Sequence, residues 1–154
     1  MRVLESHGIA YEVQHYAIDE ADLSAERAAA ALGMPLEQVF KTLLTIGGQT
    51  GRMLAMVPAG TEVDLKSLAR ASGNKKVELA PLKDVLPWTG YIRGAVTPLA
   101  VSRSLPVFID ETVILWQRVG ISAGERGVEL LLRPEDLLKV TAAEPADIAR
   151  SVIP

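Results

Sequence analysis

The spacing of apolar positions along the 154-residue chain changes several times, and each change marks an element. Residues 1 to 7 read as the end of a short helix closed by Gly8, and IAYEVQHY (9–16) alternates as a first strand. DEADLSAERAAAALGMP predicts a helix: Ser24 stands at an N-cap position, the alanine-rich run has high intrinsic propensity, and Gly33 with Pro35 marks the stop. A short helical turn at PLEQV leads into a strand, VFKTLLTI (39–46). GGQTG (47–51) then separates it from RMLAMVPA, so the two runs form an antiparallel hairpin. Asp64 is placed to cap a helix through LKSLARAS, ended by Gly73 and Asn74, both tolerant of left-handed backbone. KKVELAPLKDVLPWTG predicts a short strand and a short helix limited by Pro87. From Tyr91 onward YIRGAV, PVFIDE, TVILWQRVGIS and VELLLR are rich in Val, Ile and Leu and read as strands. RPEDLLKVT starts a helix with Pro134 in its first turn, and EPADIARSVIP is expected to add a turn of helix or to fray. No repeat or linker divides the chain. The expectation is a single domain over residues 1–154, α+β or mixed α/β, with a mostly antiparallel or mixed central sheet and flanking helices.

One position breaks the apolar pattern. In VFKTLLTI the period of two puts Phe40, Thr42, Leu44 and Ile46 on one face and Lys41, Leu43 and Thr45 on the other. Lys41 therefore has apolar or weakly polar neighbours. Either its stem snorkels past Leu43 to water, or a cleft holds its ammonium to meet an anionic or carbonyl group.

Composition narrows the chemistry. Apolar residues make up 49% and charged residues 23%, and no apolar run approaches the ~20 residues that span a bilayer, so a soluble, cytoplasmic chain is expected with no membrane role. The N-terminal residues lack the continuous apolar core of a signal peptide. With no cysteine, there is neither a thiolate nucleophile nor a cysteine metal site. His7 and His15 have no third ligand at a recognisable spacing, so no metal and no cofactor is expected. A net charge of −3 argues against DNA or RNA binding by phosphate neutralisation alone. Nucleotide-binding glycine motifs and the GxSxG elbow are absent, and a serine triad has weak support.

Two loops remain. GYIRGAVTP (90–98) brings Gly90, Gly94, Thr97 and Pro98 between strand-like segments; it is a bulged strand entering a turn or a set of amides open to an oxyanion. ISAGERG (121–127), with Ser122, Gly124 and Gly127 around Arg126, has a similar character and by itself reads as an ordinary hairpin turn. Lys66, Arg70, Lys75 and Lys76 form either a solvated helix face or a patch for RNA phosphates.

In order and spacing, FKTLL (40–44), VPAGTEVDLKSLARASGNKKVELA (57–80), GYIRGAVTPLA (90–100), and ISAGERG with PEDLLKVT (134–141) resemble the YbaK/ProX family of aminoacyl-tRNA editing domains. The likeness is greatest to the stand-alone deacylases of Cys-tRNA(Pro), and it covers nearly the whole chain. It implies hydrolysis of the ester joining a wrong amino acid to tRNA. Lys41 matches the family's functional lysine, with Phe40 and Thr42 beside it. The amides of Gly94 and Ala95 would surround the aminoacyl group, with Thr97 and Pro98 following. Tyr16, Ser122, Gly124, Arg126, Gly127 and Glu129 would line the pocket. Family members acting on Cys-tRNA are thought to let the substrate thiol attack its own ester; relatives for alanine must position a water. The resemblance leaves as alternatives Ala-tRNA(Pro) or Ser-tRNA as substrate, or a non-catalytic module binding an amino acid. It implies mischarged tRNA as partner, with prolyl-tRNA synthetase as a source of it. Two positions depart from the common motifs: Ala95 where a second glycine is usual, and Glu125 where a lysine is usual. The first is expected to narrow the pocket or forbid a positive φ, the second to weaken tRNA binding.

Overall fold

The computed structural model describes residues 1–152. Its frame is a five-stranded mixed sheet flanked by helices, of α+β class. The central hairpin pairs β2 (Phe40–Gly47) with β3 (Gly51–Pro58) antiparallel over their full length, Phe40 opposite Pro58 and Gly47 opposite Gly51. β5 (Val77–Leu79) joins the other edge of β2, but only along Thr45–Gly47. β6 (Val107–Asp110) and β9 (Glu144–Ala146) extend the sheet in parallel beyond β3. A second, three-stranded antiparallel sheet is ordered β1 (Tyr11–His15), β8 (Val128–Leu132), β7 (Val119–Ser122). A two-stranded ribbon joins β4 (Thr61–Val63) to β10 (Ala149–Ser151).

Both faces of the large sheet are buried, which is why β3 reads as a nearly unbroken apolar run. Leu54 and Met56 join Phe40, Leu44 and Ile109 on one side, under the three-stranded sheet and Leu137 of α5 (Pro134–Thr141). Met53, Ala55 and Val57 face the other way, against Leu68 and Ala69 of α3 (Leu65–Ser72). The buried Thr45 satisfies its hydroxyl on the Met53 carbonyl at 3.1 Å.

The helix signals correspond to real caps. α1 spans Arg2–Ser6, and α2 spans Ala25–Leu32 with Ser24 Oγ accepting from Arg27 N–H and Gly33 left-handed at its end. Asp64 caps α3 by accepting from Ser67 N–H. Gly73 is left-handed, but Asn74 acts through its side chain: its Oδ1 accepts from the amides of Gln49 and Thr50 at 2.8 and 3.0 Å, tying α3 to the hairpin turn.

Four expectations fail. YIRGAV is an open loop, because Gly90 ends α4 (Leu82–Thr89) in left-handed geometry and Gly94 turns the chain again at φ 83°. The TVIL part of the next segment winds into a 3-10 turn over Glu111–Leu115, leaving only Val119–Ser122 as strand. EPADIARS forms β9 and β10, held by Asp110 Oδ1 accepting from the amides of Ile148 and Ala149 at 3.1 and 3.0 Å; Ile153 and Pro154 lie outside the described residues. Pro87 does not stop α4, which runs on to Thr89. Among the described residues no helix is long and apolar enough to cross a membrane.

Replacing Asn74 by Ala strands two hairpin amides and removes donors to Thr50 and Ser72. The expected cost is about 2 kcal/mol, a fall in Tm of roughly 4–8 °C, measured by thermal and denaturant unfolding. A loss below about 0.5 kcal/mol would contradict the bracing role.

Candidate active site

β2 changes partner along one edge. At its start Val39 bridges to Gly120 of β7, and at its end it pairs with β5. The Leu44 carbonyl accepts from Ala80 N–H at 2.9 Å, so the backbone groups of Leu44 face the β5 side. Those of Thr42, two residues back, face the same way, into a gap no strand fills among the described residues. A cavity of about 320 Å³ occupies this gap.

Lys41 lies at the cavity with its side chain 24% exposed, and its Nζ is 3.2 Å from Glu26 Oε1 on α2. The same carboxylate oxygen accepts from Gly60 N–H at 2.8 Å. Burial pushes the Glu26 carboxyl up, but the amides of Gly60 and of Glu26 itself, followed by Lys41, outweigh it and hold the group below its ordinary value. Glu26 is thus an anion that fixes the lysine and leaves two of its three N–H groups free for another acceptor. Its position in the first turn of a helix has an adequate local explanation in the helix dipole, so no sequence signal connects it with Lys41.

Of the other expected residues, Tyr16, Phe40, Thr42, Gly94, Ser122 and Glu129 line this cavity. Gly127 and Arg126 border a smaller adjoining hollow shared with Tyr16 and Gly94. The glycines shape the wall. Gly94 sits at φ 83° with the site of an added Cβ 3.0 Å from Leu23, and Gly124 at φ 95° with that site 2.7 Å from the Tyr91 ring. Any side chain at either position meets both backbone strain and a neighbour. Arg126 Nε donates to the Arg93 carbonyl at 2.9 Å, and the Tyr91 hydroxyl donates to the Leu99 carbonyl. The two glycine loops are therefore one braced unit, and Arg126 is engaged in holding it together.

Ala95 takes a different place from the one expected. It is fully buried, it is not at positive φ, and its amide is spent on the Ile92 carbonyl at 3.0 Å. The amides of Gly94 and Val96, both at the cavity, have no acceptor within the described chain. Thr97 and Pro98 are buried behind the loop, outside the cavity lining. Lys66, Arg70, Lys75 and Lys76 are exposed around α3 and its end. Lys76 adjoins the Gly47 end of β2, roughly 20 Å along the strand from Lys41. None of these four lines the cavity.

Glu129 is 5% exposed, with Oε2 lacking a hydrogen-bond partner. Burial pushes its carboxyl up to about 8. The Tyr16 phenol is also raised, first by its own burial and then by Glu129. Ser24 and Ser122 line the cavity, but neither histidine does, so no serine–histidine pair forms there. Among the described residues no group of three His, Asp or Glu side chains is placed to hold a metal. Further walls come from segments with no motif of their own: Leu23 and Ala28 on the α2 side, and Leu82 and Val85 of α4.

Residues 19–140 match the aminoacyl-tRNA editing domain family, and the chain belongs to it. Its fold is that of an editing domain of the YbaK type. It is 42% identical over 148 residues, 96% of this chain and 90% of the relative, to the Enterococcus faecalis protein named "Putative Cys-tRNA(Pro)/Cys-tRNA(Cys) deacylase EbsC". Among solved structures it resembles "a putative trans-editing enzyme for prolyl tRNA synthetase", with TM-score 0.84, 26% identity and coverage of 97% and 94% of the two chains. The hypothetical protein APE2540, at TM-score 0.87, 23% identity and 97% coverage of both chains, shares the fold.

Glu129 makes the stability of the fold depend on pH. Its carboxyl ionises near 4.5 when unfolded and near 8 when folded, so the folded state holds the extra proton between those values. Its contribution is fully present below pH 4.5 and is lost as pH rises through 8. Glu129→Gln should therefore gain stability relative to wild type between pH 5 and 8.5, by up to about 4 kcal/mol, read from denaturant midpoints across that range. Parallel curves for the two proteins would refute a neutral buried carboxyl.

Proposed function

We propose that this protein is a trans-acting deacylase that cuts the ester between a wrong amino acid and the 3′-terminal ribose of tRNA. Cysteine on proline tRNA is its first substrate, and the whole chain works as one editing unit. The observation that carries the reading is Lys41, fixed by Glu26 beside the open edge of β2, in a cavity that also presents the amides of Thr42, Gly94 and Val96. These donors suit an oxyanion forming at an ester carbonyl. The names of the 42% identical relative and of the similar solved structure support the same substrate class.

Among the described residues no serine–histidine pair lines the cavity, and the Ser24 hydroxyl is engaged as the α2 cap, donating to Asp22 and accepting from Arg27 N–H, which suits a substrate that brings its own nucleophile. In that chemistry the cysteine sulfur attacks the carbonyl carbon. A C–S bond forms as the C–O bond to ribose breaks, and the thiol proton ends on the released ribose hydroxyl. Water then opens the thiolactone to free cysteine. The chain's part is to fold the thiol toward the carbonyl and to stabilise the oxyanion through Lys41 and the amides. A cavity of about 320 Å³ falls in the range of small-ligand sites. Prolyl-tRNA synthetase fits the role of supplier of the charged tRNA.

The test is deacylation of Cys-, Ala- and Ser-tRNA(Pro) by wild type and Lys41→Ala, with and without prolyl-tRNA synthetase. Cys-tRNA(Pro) should be lost fastest, and Lys41→Ala should lower kcat/KM at least a hundredfold, about 3 kcal/mol of transition-state stabilisation. Preference for Ala or Ser would transfer the assignment to a water-using deacylase. Binding of aminoacyl analogues without any turnover would make the chain a binding module.

Glu26→Gln separates positioning from chemistry. The amide oxygen still accepts from Gly60, and only the ionic hold on Lys41 is lost. A loss of roughly tenfold or less is expected, mainly in kcat, with the unfolding midpoint little changed. A loss as large as that of Lys41→Ala would make Glu26 a participant in the reaction itself.

A further inference from the structure

Several exposed cations lie on and beside α4, which forms one wall of the cavity. On the α4 side, Lys83, Arg93 and Arg103 are exposed, and none has an ion-pair partner among the described residues. Lys83 and Pro87 stand one turn apart on α4. Arg103 Nε donates to the Pro87 carbonyl at 3.3 Å, and its guanidinium lies 4.3 Å from the centre of the Trp88 ring. Arg103 thus covers the Pro87–Trp88 end of α4, Lys83 stands in its first turn, and Arg93 lines the cavity itself. Arg52 also stacks on Trp88, at 4.1 Å, but it is neutralised by Asp84 at 2.8 Å, so Arg103 carries the uncompensated charge. Leu82 lines the cavity, and Leu86 on the same helix and Ile92 next to Arg93 are, like it, large exposed apolar side chains. Asp19, Glu20 and Asp22 precede Leu23 and Ser24 of the cavity wall, where Leu23 packs against Gly94.

We propose that the α4 rim is the surface on which the single-stranded 3′ end of the RNA lies, entering the cavity past Leu82 and Arg93. Phosphates meet Lys83, Arg93 and Arg103, and base or ribose faces meet Leu82, Leu86 and Ile92. This rests on the reading of the cavity as an aminoacyl-ester site and gives that reading a direction of approach. A chain of net charge −3 can hold a polyanion only where cations are locally concentrated and unpaired, and apolar side chains between them suit unstacked bases of any sequence. A protein partner would also cover the leucines, but three uncompensated cations beside them favour a phosphate chain.

The experiment measures binding of an uncharged acceptor-stem RNA hairpin with a single-stranded 3′ end, by anisotropy over a series of salt concentrations. K83A/R93A/R103A should weaken binding at least tenfold and lower the slope of log affinity against log salt by about 2. K66A/R70A/K75A/K76A should change affinity less than twofold. Arg103→Glu alone should weaken binding severalfold, and thermal unfolding of each variant checks the fold. The proposal is overturned if the rim variant binds RNA like wild type, if the α3 variant loses as much, or if wild type shows no RNA binding at about 50 mM salt. It is also overturned if the rim variant binds RNA normally and loses only stimulation by prolyl-tRNA synthetase, since the surface would then belong to a protein. Lys41→Ala should keep full RNA affinity. A wild type that binds RNA through the rim yet hydrolyses nothing would sink the deacylase reading and leave the RNA surface standing.

Discussion

A β-strand must find partners for its peptide groups along both edges, and β2 does so on one edge only in part. β3 accompanies it throughout, but the other edge passes from β7 at Val39 to β5 at Thr45. The peptide groups of Thr42 fall between. In the interior of a sheet such a gap costs free energy comparable to a lost hydrogen bond for each group; here it opens into a cavity, where a ligand or water can supply the partner. The position of the site follows from this change of partners. The braced glycine loops, the end of β1 and the first turn of α2 are the elements that reach the gap.

Three charge-bearing groups then share a small space in different states. Glu26 is held ionised by two amides and Lys41, whereas Glu129, with no cation and no donor on Oε2, keeps its proton at neutral pH. The Lys41–Glu26 pair is partly open to solvent, at 24% and 39% exposure, so its attraction is screened and its desolvation is incomplete. A fully buried pair would bind the ammonium too firmly to share it. At this exposure the ammonium is oriented by Glu26 while its other hydrogens can be given to a carbonyl oxygen.

Much of this was legible in the residues, and the pattern of what was not is physical. Ser24, Gly33, Asp64, Gly73 and Pro134 act locally, within the turn they start or end, so their roles can be read without a partner. Lys41 stood out because one lysine in an apolar strand demands an explanation. Glu26 gave no sign, since its contact with Lys41 depends on how α2 packs over the sheet. β4, β9 and β10 exist because of pairing with segments some 35 to 90 residues away, which short windows do not contain. YIRGAV failed for the opposite reason: β-prone side chains are outvoted by two positive-φ glycines within five residues. Ala95 was expected to crowd the pocket in place of a second glycine. It lies behind the loop, and Gly94 alone supplies the left-handed turn.

With Ala95 removed from the wall, selectivity among small amino acids has little steric basis. The lining is largely apolar, and an apolar pocket separates side chains differing by one group by only about 1–3 kcal/mol. Cysteine, serine and alanine differ by about that much. On the proposed mechanism, discrimination comes instead from reactivity. A thiol folded against its own ester is a far better nucleophile than a hydroxyl at neutral pH, and a methyl group is none at all. A site that supplies only orientation and oxyanion donors would thus hydrolyse the substrate that carries its own nucleophile and leave the others nearly untouched, without a pocket that tells their shapes apart.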